Sequence, residues 1–353
     1  MTSPRLPVDD LLSLTSDLLE RSGVRADDAS LIARSLLAAD RAGIYSHGLL
    51  RLPLYLEAVT AGGIDPTSRP SVLRRVGGTA VLDGEGAFGQ VVMQHAVDLA
   101  TEAAREHGIA AVAVQGSTHF GAGRFWTDQL AERGLAAVLT SSTGPVAAPF
   151  GGSRPVLGTN PLTLSLPSSG AGPLVADLAT TAGAYGKVVS ARNEGTPIPE
   201  GWGVDAEARP TTDPSAVLDG GALLPFGGHK GSGVSVLLEG LATALTSASL
   251  AARTVDIWQD RSSRMNTGHL LIALDLAAFG DPAQIRDRVA ELQAEVRSSH
   301  PGGTVVAPGD LEHDRAAAGD GVELAASTAE QLRALARAHD LPFPDPLADG
   351  TSR

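Results

Sequence analysis

Apolar residues recur at helical spacing over residues 8–22 (VDDLLSLTSDLLERS) and 27–42 (DDASLIARSLLAADRA), with acidic residues opening each turn. A third helix is predicted from about Leu49 to Ala61, with Pro53 tolerated in its first turn. The first 60 or so residues therefore read as a helical unit, and GGIDPTSRP as the loop that leaves it. From residue 72 the pattern changes. Short β-like runs (SVLRRV, TAVLD, IAAVAVQ, LAAVLTSS, LTLSLP, PLVADLAT) alternate with helical stretches near 89–106 and 124–133. Residues 193–230 are mostly turn material. A helix opens at Gly231, GHLLIALDL (268–276) reads as a strand, DPAQIRDRVAELQAEVRSS as a helix, and 327–339 as a closing helix. The pattern is that of an α/β protein with helical ends.

Composition narrows the function classes. The 353 residues are 43% hydrophobic and 19% charged, which suits a globular chain with a real core. The net charge of −13 disfavours nucleic acid and anionic membrane as partners, so an anionic substrate needs a local cationic pocket. With no cysteine, disulfides, thiolate zinc sites and cysteine nucleophiles are excluded together. The nine histidines show no HxxxH or HExxH spacing, and no metal site is expected. The N-terminus has no apolar signal core, and the richest later stretch, 234–252, is broken by Glu239, so a cytoplasmic protein is expected. Only two lysines stand against 25 arginines, and both, Lys187 and Lys230, sit beside glycine. A compact ammonium fits tight sites where a guanidinium does not.

Several motifs carry candidate chemistry. Gly84-x-Gly86-x-x-Gly89 lies between TAVLD and a helix, as a dinucleotide-binding turn would. Its second strand ends in Gln115, Gly116 and Ser117, without the carboxylate that holds ribose hydroxyls. In YSHGLLRLPLY, His47 and Arg51 stand one turn apart: an imidazole to carry a proton and a guanidinium to clamp a carboxylate. A helix-capping Ser46 with a surface histidine is the plainer alternative. His119 follows a buried strand in QGSTHFGAGRFW, where loop residues often carry chemistry. Asn160 precedes a proline at a strand opening, and Asp177 ends the buried strand in VADLATTAGAYGK. LPFGGHKGSG runs a glycine loop with His229 and Lys230 into a helix N-terminus, which favours phosphate but lacks P-loop spacing.

In order and spacing, these segments resemble the type-2 malate/L-lactate dehydrogenase family, which includes ureidoglycolate dehydrogenases, diketogulonate reductases, sulfolactate dehydrogenases and cyclic imino-acid reductases. The resemblance is carried by YSHGLLRLP, GQ at 89–90, EHGIAAVAVQGSTHFG, APFGGSRPVLGTNPLTLSLP, VADLATTAGAYGK, GTPIPEGWGVD, LPFGGHKGSG and NTGHLLIALDLAAF, spanning 45–279. It implies a non-Rossmann NAD(P)-binding domain on a largely antiparallel sheet, with a helical domain built from both chain ends. Gly84, Gly86 and Gly89 are then turn glycines. The implied boundaries are 1–70 plus 300–353 for the helical domain, 71–125 plus 230–299 for a substrate and dimer domain, and 126–229 for the NAD(P)-binding domain. His47 and His119 are implied as proton-exchanging residues, Arg51 as the carboxylate clamp, and Ser46 and Thr143 as substrate neighbours. NADPH or NADH would be held by Thr159, Asn160, Asp177, Leu178, Ala179, Thr180, Thr181, Lys187, His229, Lys230, Pro308, Gly309 and Asp310. Four departures surround these pockets: His229 for a usual tyrosine, Ala184-Tyr185 for Ala-Arg, Ala122-Gly123-Arg124 for Ala-Ala-Gly, and Thr118 for a frequent asparagine. The implied reaction is hydride transfer to or from the carbon beside a carboxylate, in a homodimer. A C=N reductase on the same fold and a non-catalytic nucleotide binder are the alternatives.

Overall fold

A computed structural model of the chain describes residues 5–303 and 305–347. A short strand β1 (Arg5–Pro7) leads into helices α1 (Val8–Arg21), α2 (Ala26–Arg41) and α3 (Leu52–Ala61). Then come β2 (Ser71–Val76), β3 (Thr79–Asp83), α4 (Gly89–His107), β4 (Ile109–Ser117), α5 (Gly123–Glu132), β5 (Leu135–Ser141), β6 (Leu162–Leu166) and β7 (Leu174–Leu178). The turn-rich middle contains α6 (Tyr185–Glu194), β8 (Gly203–Val204), β9 (Pro210–Thr211), α7 (Pro214–Leu218) and β10 (Ala222–Leu223). The chain closes with α8 (His229–Thr243), β11 (Thr267–Asp275), α9 (Pro282–Ser298), α10 (Asp310–Ala317), β12 (Gly321–Glu323) and α11 (Ala326–Ala338).

The main sheet has seven strands in the order β2-β3-β4-β11-β5-β6-β7, and every neighbouring pair is antiparallel except β3 with β4. This is a mixed α/β fold on a large, mostly antiparallel sheet. Strand β11, far along the chain, lies between β4 and β5, so the sheet is complete only when residues 267–275 insert. On one face α4 and α5 lay Val92, Met93, Ala96, Val97, Ala100, Trp126 and Leu130 against Leu82, Val112, Val114, Leu139 and Leu271. The alanines let the helix backbone approach the sheet closely.

Both chain ends share a separate core. Leu6 of β1 pairs with Val322 of β12, and Leu11, Leu18, Ile32, Leu36, Leu52 and Tyr55 pack with Leu332 and Ala336 of α11. A smaller cluster, Ala147, Leu157, Val188, Ile198, Val217 and Leu223, holds the segment between β5 and α8 around the sheet β10-β8-β9.

The third predicted helix divides in two. Residues 45–51 form 3-10 turns, and the α-helix begins at Leu52 with Pro53 in its first turn. The helix expected from Gly231 opens two residues earlier, at His229. The glycine motif does lie in a β–α–β unit with parallel strands β3 and β4. Its glycines face protein: a Cβ at Gly84 would stand 2.7 Å from the Gly116 carbonyl, and one at Gly89 2.5 Å from the carbonyls of Thr118 and His119. The first amide of α4, Gly89 N–H, donates to Thr118 Oγ1 at 2.9 Å.

Candidate active site

The site begins where α2 ends. Asp40 is buried there and accepts the Leu49 N–H at 2.7 Å, folding residues 44–51 back over the helix end. Only glycine fits at position 48, because a Cβ would stand 2.0 Å from Asp40 Oδ1. Burial pushes the Asp40 carboxyl up to about 7. The pinned loop presents Ser46, His47 and Arg51 together. Arg51 Nε donates to the Ser46 carbonyl at 2.6 Å, and Ser46 Oγ lies 2.8 Å from His47 Nδ1.

His119 arrives from the end of β4. Its ring stacks on His47 with centroids 5.4 Å apart, and the Trp258 ring meets it edge-on at 5.2 Å. The Arg51 guanidinium lies over the same Trp258 ring at 4.8 Å and forms no ion pair among the described residues. Burial, helped by the Arg51 charge, holds His47 down to about 4. Burial, with His47 and Arg51 beside it, holds His119 well below the usual imidazole range. Both rings are therefore neutral at neutral pH. Asp256 stands near Arg51, with Oδ1 buried and unpartnered, and its burial raises the carboxyl to about 6.

A chain of short contacts leads from this cluster to the glycine-rich loop. Asp256 faces the Gly144 backbone, where an added Cβ would come 2.7 Å from its Oδ2. Beside Gly144, Thr143 Oγ1 accepts the Thr159 N–H at 2.9 Å. The Thr159 carbonyl accepts from Thr180, by its N–H at 2.9 Å and its hydroxyl at 3.0 Å. The Thr180 carbonyl accepts the Phe226 N–H at 3.0 Å, and Thr181 bridges to Pro225. Then come Gly227 and Gly228, both at positive φ, and α8 starts with no side-chain cap and with His229 and Lys230 exposed. Its free amides and the adjacent ammonium suit a phosphate. Asn160, at φ 37°, donates to buried Glu239 at 2.6 Å and leaves its own Oδ1 buried without a partner, a polar atom that a bound amide would satisfy.

The remaining expected residues fall differently. Asp177 caps α5, accepting from Arg124 N–H at 3.0 Å and Thr163 Oγ1 at 2.8 Å. The Gly309 carbonyl accepts from Arg124 at 3.2 Å and the Pro308 carbonyl from Val175 at 3.2 Å, which brings this late loop beside Asp177. Asp310 is engaged by Arg297 at 2.7 and 2.8 Å. Leu178 and Ala179 link Asp177 to Thr180, while Lys187 lies exposed on α6, its side chain without a hydrogen bond or ion pair among the described residues. Tyr55, Gln90, Asp256 and Trp258 were not expected. Tyr55 stands one turn beyond Arg51 and Gln90 within the GQ pair, so both were in view, whereas Asp256 and Trp258 lie in a stretch without periodicity.

Two neutral imidazoles beside a cation that makes no ion pair among the described residues, with the buried Asp256 near it and an uncapped glycine-led helix start further along, are groups able to hold a carboxylate and to exchange a proton. The protein is an oxidoreductase that uses a nicotinamide cofactor. It belongs to the family described as malate/L-lactate dehydrogenase, whose model matches residues 6–333. L-sulfolactate dehydrogenase of Methanothermobacter thermautotrophicus is 34% identical over 339 residues, covering 96% of this chain and 98% of that protein. The Δ1-pyrroline-2-carboxylate/Δ1-piperideine-2-carboxylate reductase of Pseudomonas syringae pv. tomato is 38% identical over 332 residues, covering 91% and 94%. Among solved structures, sulfolactate dehydrogenase from Methanocaldococcus jannaschii superposes with a TM-score of 0.89 at 31% identity, over 96% of this chain and 98% of that one.

Proposed function

We propose that the protein transfers hydride between a nicotinamide and the carbon beside a carboxylate, interconverting a 2-oxo and a 2-hydroxy acid. The observation that carries this reading is Arg51: a cation held over Trp258 and beside two neutral histidines, forming no ion pair among the described residues. Its guanidinium clamps the substrate carboxylate, which sets the reacting carbon against the histidine pair. His47 or His119 exchanges the proton with the substrate oxygen, a contribution of roughly 10²–10⁴-fold. Ser46 and Thr143 line the pocket. The bound nicotinamide supplies or accepts the hydride.

The cofactor lies along Thr159, Asn160, Asp177–Thr181, Lys187, His229 and Lys230, with Pro308–Asp310 closing over it, rather than on the glycines at 84–89. What supports this non-Rossmann reading is the protein packing that already fills the space beside Gly84 and Gly89, and the open start of α8. On the same reading residues 1–70 with 300–353, 71–125 with 230–299, and 126–229 act as three units. Residues 1–4, 304 and 348–353 lie outside the described ones. The protein works in the cytoplasm. No helix among the described residues is long and apolar enough to cross a membrane.

A second copy covers α8. Val234, Leu237 and Leu241 stand on one face of that helix, with Leu245 just beyond its end, all exposed, with Leu237 at 70%. Reduction of a cyclic imine beside a carboxylate is the second reading, favoured by Asp256: a carboxylate next to Arg51 is a counter-ion for an iminium nitrogen. Substituting Arg51→Met and measuring KM separately for carboxylate and cofactor tests the clamp. Equal effects on both would remove it.

A further inference from the structure

Two buried side chains that the proposed reaction does not use stand behind His119. The Tyr55 hydroxyl lies 2.6 Å from His119 Nδ1, and Gln90 Nε2 donates to the same hydroxyl at 3.3 Å. Tyr55 and Gln90 are fully buried, and Gln90 Oε1 has no partner among the described residues. A phenol has one proton to give. Its oxygen takes the Gln90 N–H, so the proton points at Nδ1. A neutral imidazole carries a single proton, and with Nδ1 accepting, that proton sits on Nε2. Nε2 itself makes no hydrogen bond among the described residues, and the His119 ring faces His47 on one side and Trp258 on another, inside the substrate cluster. His47 is held differently. Its Nδ1 partner is the exposed Ser46 hydroxyl, which solvent can reorient.

We propose that Tyr55, held by Gln90, fixes His119 with its proton on Nε2 and follows that proton during reaction, so that His119 rather than His47 protonates the substrate oxygen. This rests on the reading of the site as a hydride-transfer centre. In reduction, hydride adds to the carbonyl carbon and the π electrons move to oxygen. The Nε2–H bond breaks as the new O–H bond forms, and the Tyr55 proton passes to Nδ1, so the ring stays neutral. The negative charge comes to rest on the Tyr55 oxygen, in the field of Arg51 and against the Gln90 N–H, until a solvent proton returns. Oxidation runs the same transfers in reverse. Burial holds the Tyr55 hydroxyl at about 12, so phenolate is absent from the resting enzyme. A freshly formed alkoxide is more basic still, which keeps the transfer downhill.

Packing alone would also bury Tyr55, whose ring meets Phe88 edge-on at 6.0 Å. Tyr55→Phe keeps that ring and deletes only the hydroxyl. Nitrogen-15 NMR of histidine-labelled protein without substrate, with His119→Gln used to assign the signal, reads the proton position directly. The expected spectrum shows a bare Nδ1 and a protonated Nε2 on His119, with the preference lost in Tyr55→Phe. A proton found on Nδ1 overturns the proposal. Single-turnover mixing is expected to show a hydride step slowed about 10- to 100-fold in Tyr55→Phe, with NADPH binding by fluorescence unchanged. A folded Tyr55→Phe enzyme with the full single-turnover rate overturns the relay. If no 2-oxo acid or cyclic imine is reduced by the unmodified enzyme, the activity reading fails, while the NMR result stands or falls separately.

Discussion

At the scale of single residues, the proposed function depends on imidazoles kept neutral beside a fixed cation. On that proposal Arg51→Met removes a charge-assisted, two-pronged contact, and KM for the carboxylate substrate is expected to rise roughly 10- to 100-fold with cofactor affinity unchanged. Steady-state kinetics with each ligand varied in turn checks this. Asp40 gives a prediction about pH. Its folded carboxyl titrates at about 7 against 3.8 unfolded, so the proton it keeps stabilises the fold fully below 3.8 and that contribution disappears as pH rises to 7. His47, at about 4, and His269, buried in β11 and held by that burial at about 3, act in the opposite sense: their contribution is present above 6.5 and is lost as the medium turns acidic. Asparagine can still accept the Leu49 N–H without titrating. The stability of the natural protein relative to Asp40→Asn is therefore expected to fall between pH 4 and pH 7, by at most about 1.4 kcal/mol per pH unit. Urea unfolding at several pH values measures it, and a constant difference would show that Asp40 is ionised in the fold.

At the scale of elements, the glycine-led start of α8 is fixed by contact. A Cβ at Gly231 would stand 1.7 Å from the Phe226 carbonyl, whereas one at Gly233 meets nothing within 4 Å. Gly231→Ala is expected to cost about 2 kcal/mol or more and to weaken cofactor binding. Gly233→Ala is expected to be neutral or to stabilise by about 0.5–1 kcal/mol. Thermal melts with a cofactor titration separate the two. The long helices α1, α2 and α4 were legible because one face of each is apolar, and β11 because it is a nearly continuous apolar run buried between β4 and β5. The 3-10 turns at 45–51 were not, because Asp40 imposes them from outside the segment. Nor were the paired ends β1 and β12, three residues each, or the two-residue strands β8–β10, which are too short to show a period. The spacing of Gly84, Gly86 and Gly89 marked a real β–α–β turn; only the structure shows what fills it. His47, Arg51 and His119 were legible as candidate chemistry-bearing side chains, each within three residues of a glycine. Tyr55 and Gln90 read as ordinary packing positions, since their partner lies in a different part of the chain.

At the scale of the whole molecule, distant segments depend on one another. Strand β11 completes the sheet between β4 and β5, and both chain ends share one core. The exposed apolar face of α8 lies on the helix whose first turn is proposed to hold the cofactor, so the proposed assembly and the proposed activity share one element. Leu237→Glu puts a charge on that face and is expected to yield monomers in sedimentation velocity, with weaker cofactor binding; a chain already monomeric without the substitution would refute the interface. A net charge of −13 repels anions at long range, so the proposed capture of a carboxylate rests on Arg51 at short range. The most direct measurement is absorbance at ~340 nm, with NADH or NADPH oxidation followed across 2-oxo acids and cyclic imino acids. Oxidation that requires the substrate carboxylate, with the KM for that acid raised roughly 10- to 100-fold in Arg51→Met, is the predicted result. Turnover indifferent to the carboxylate, or none with any acceptor while the cofactor binds, would contradict the account.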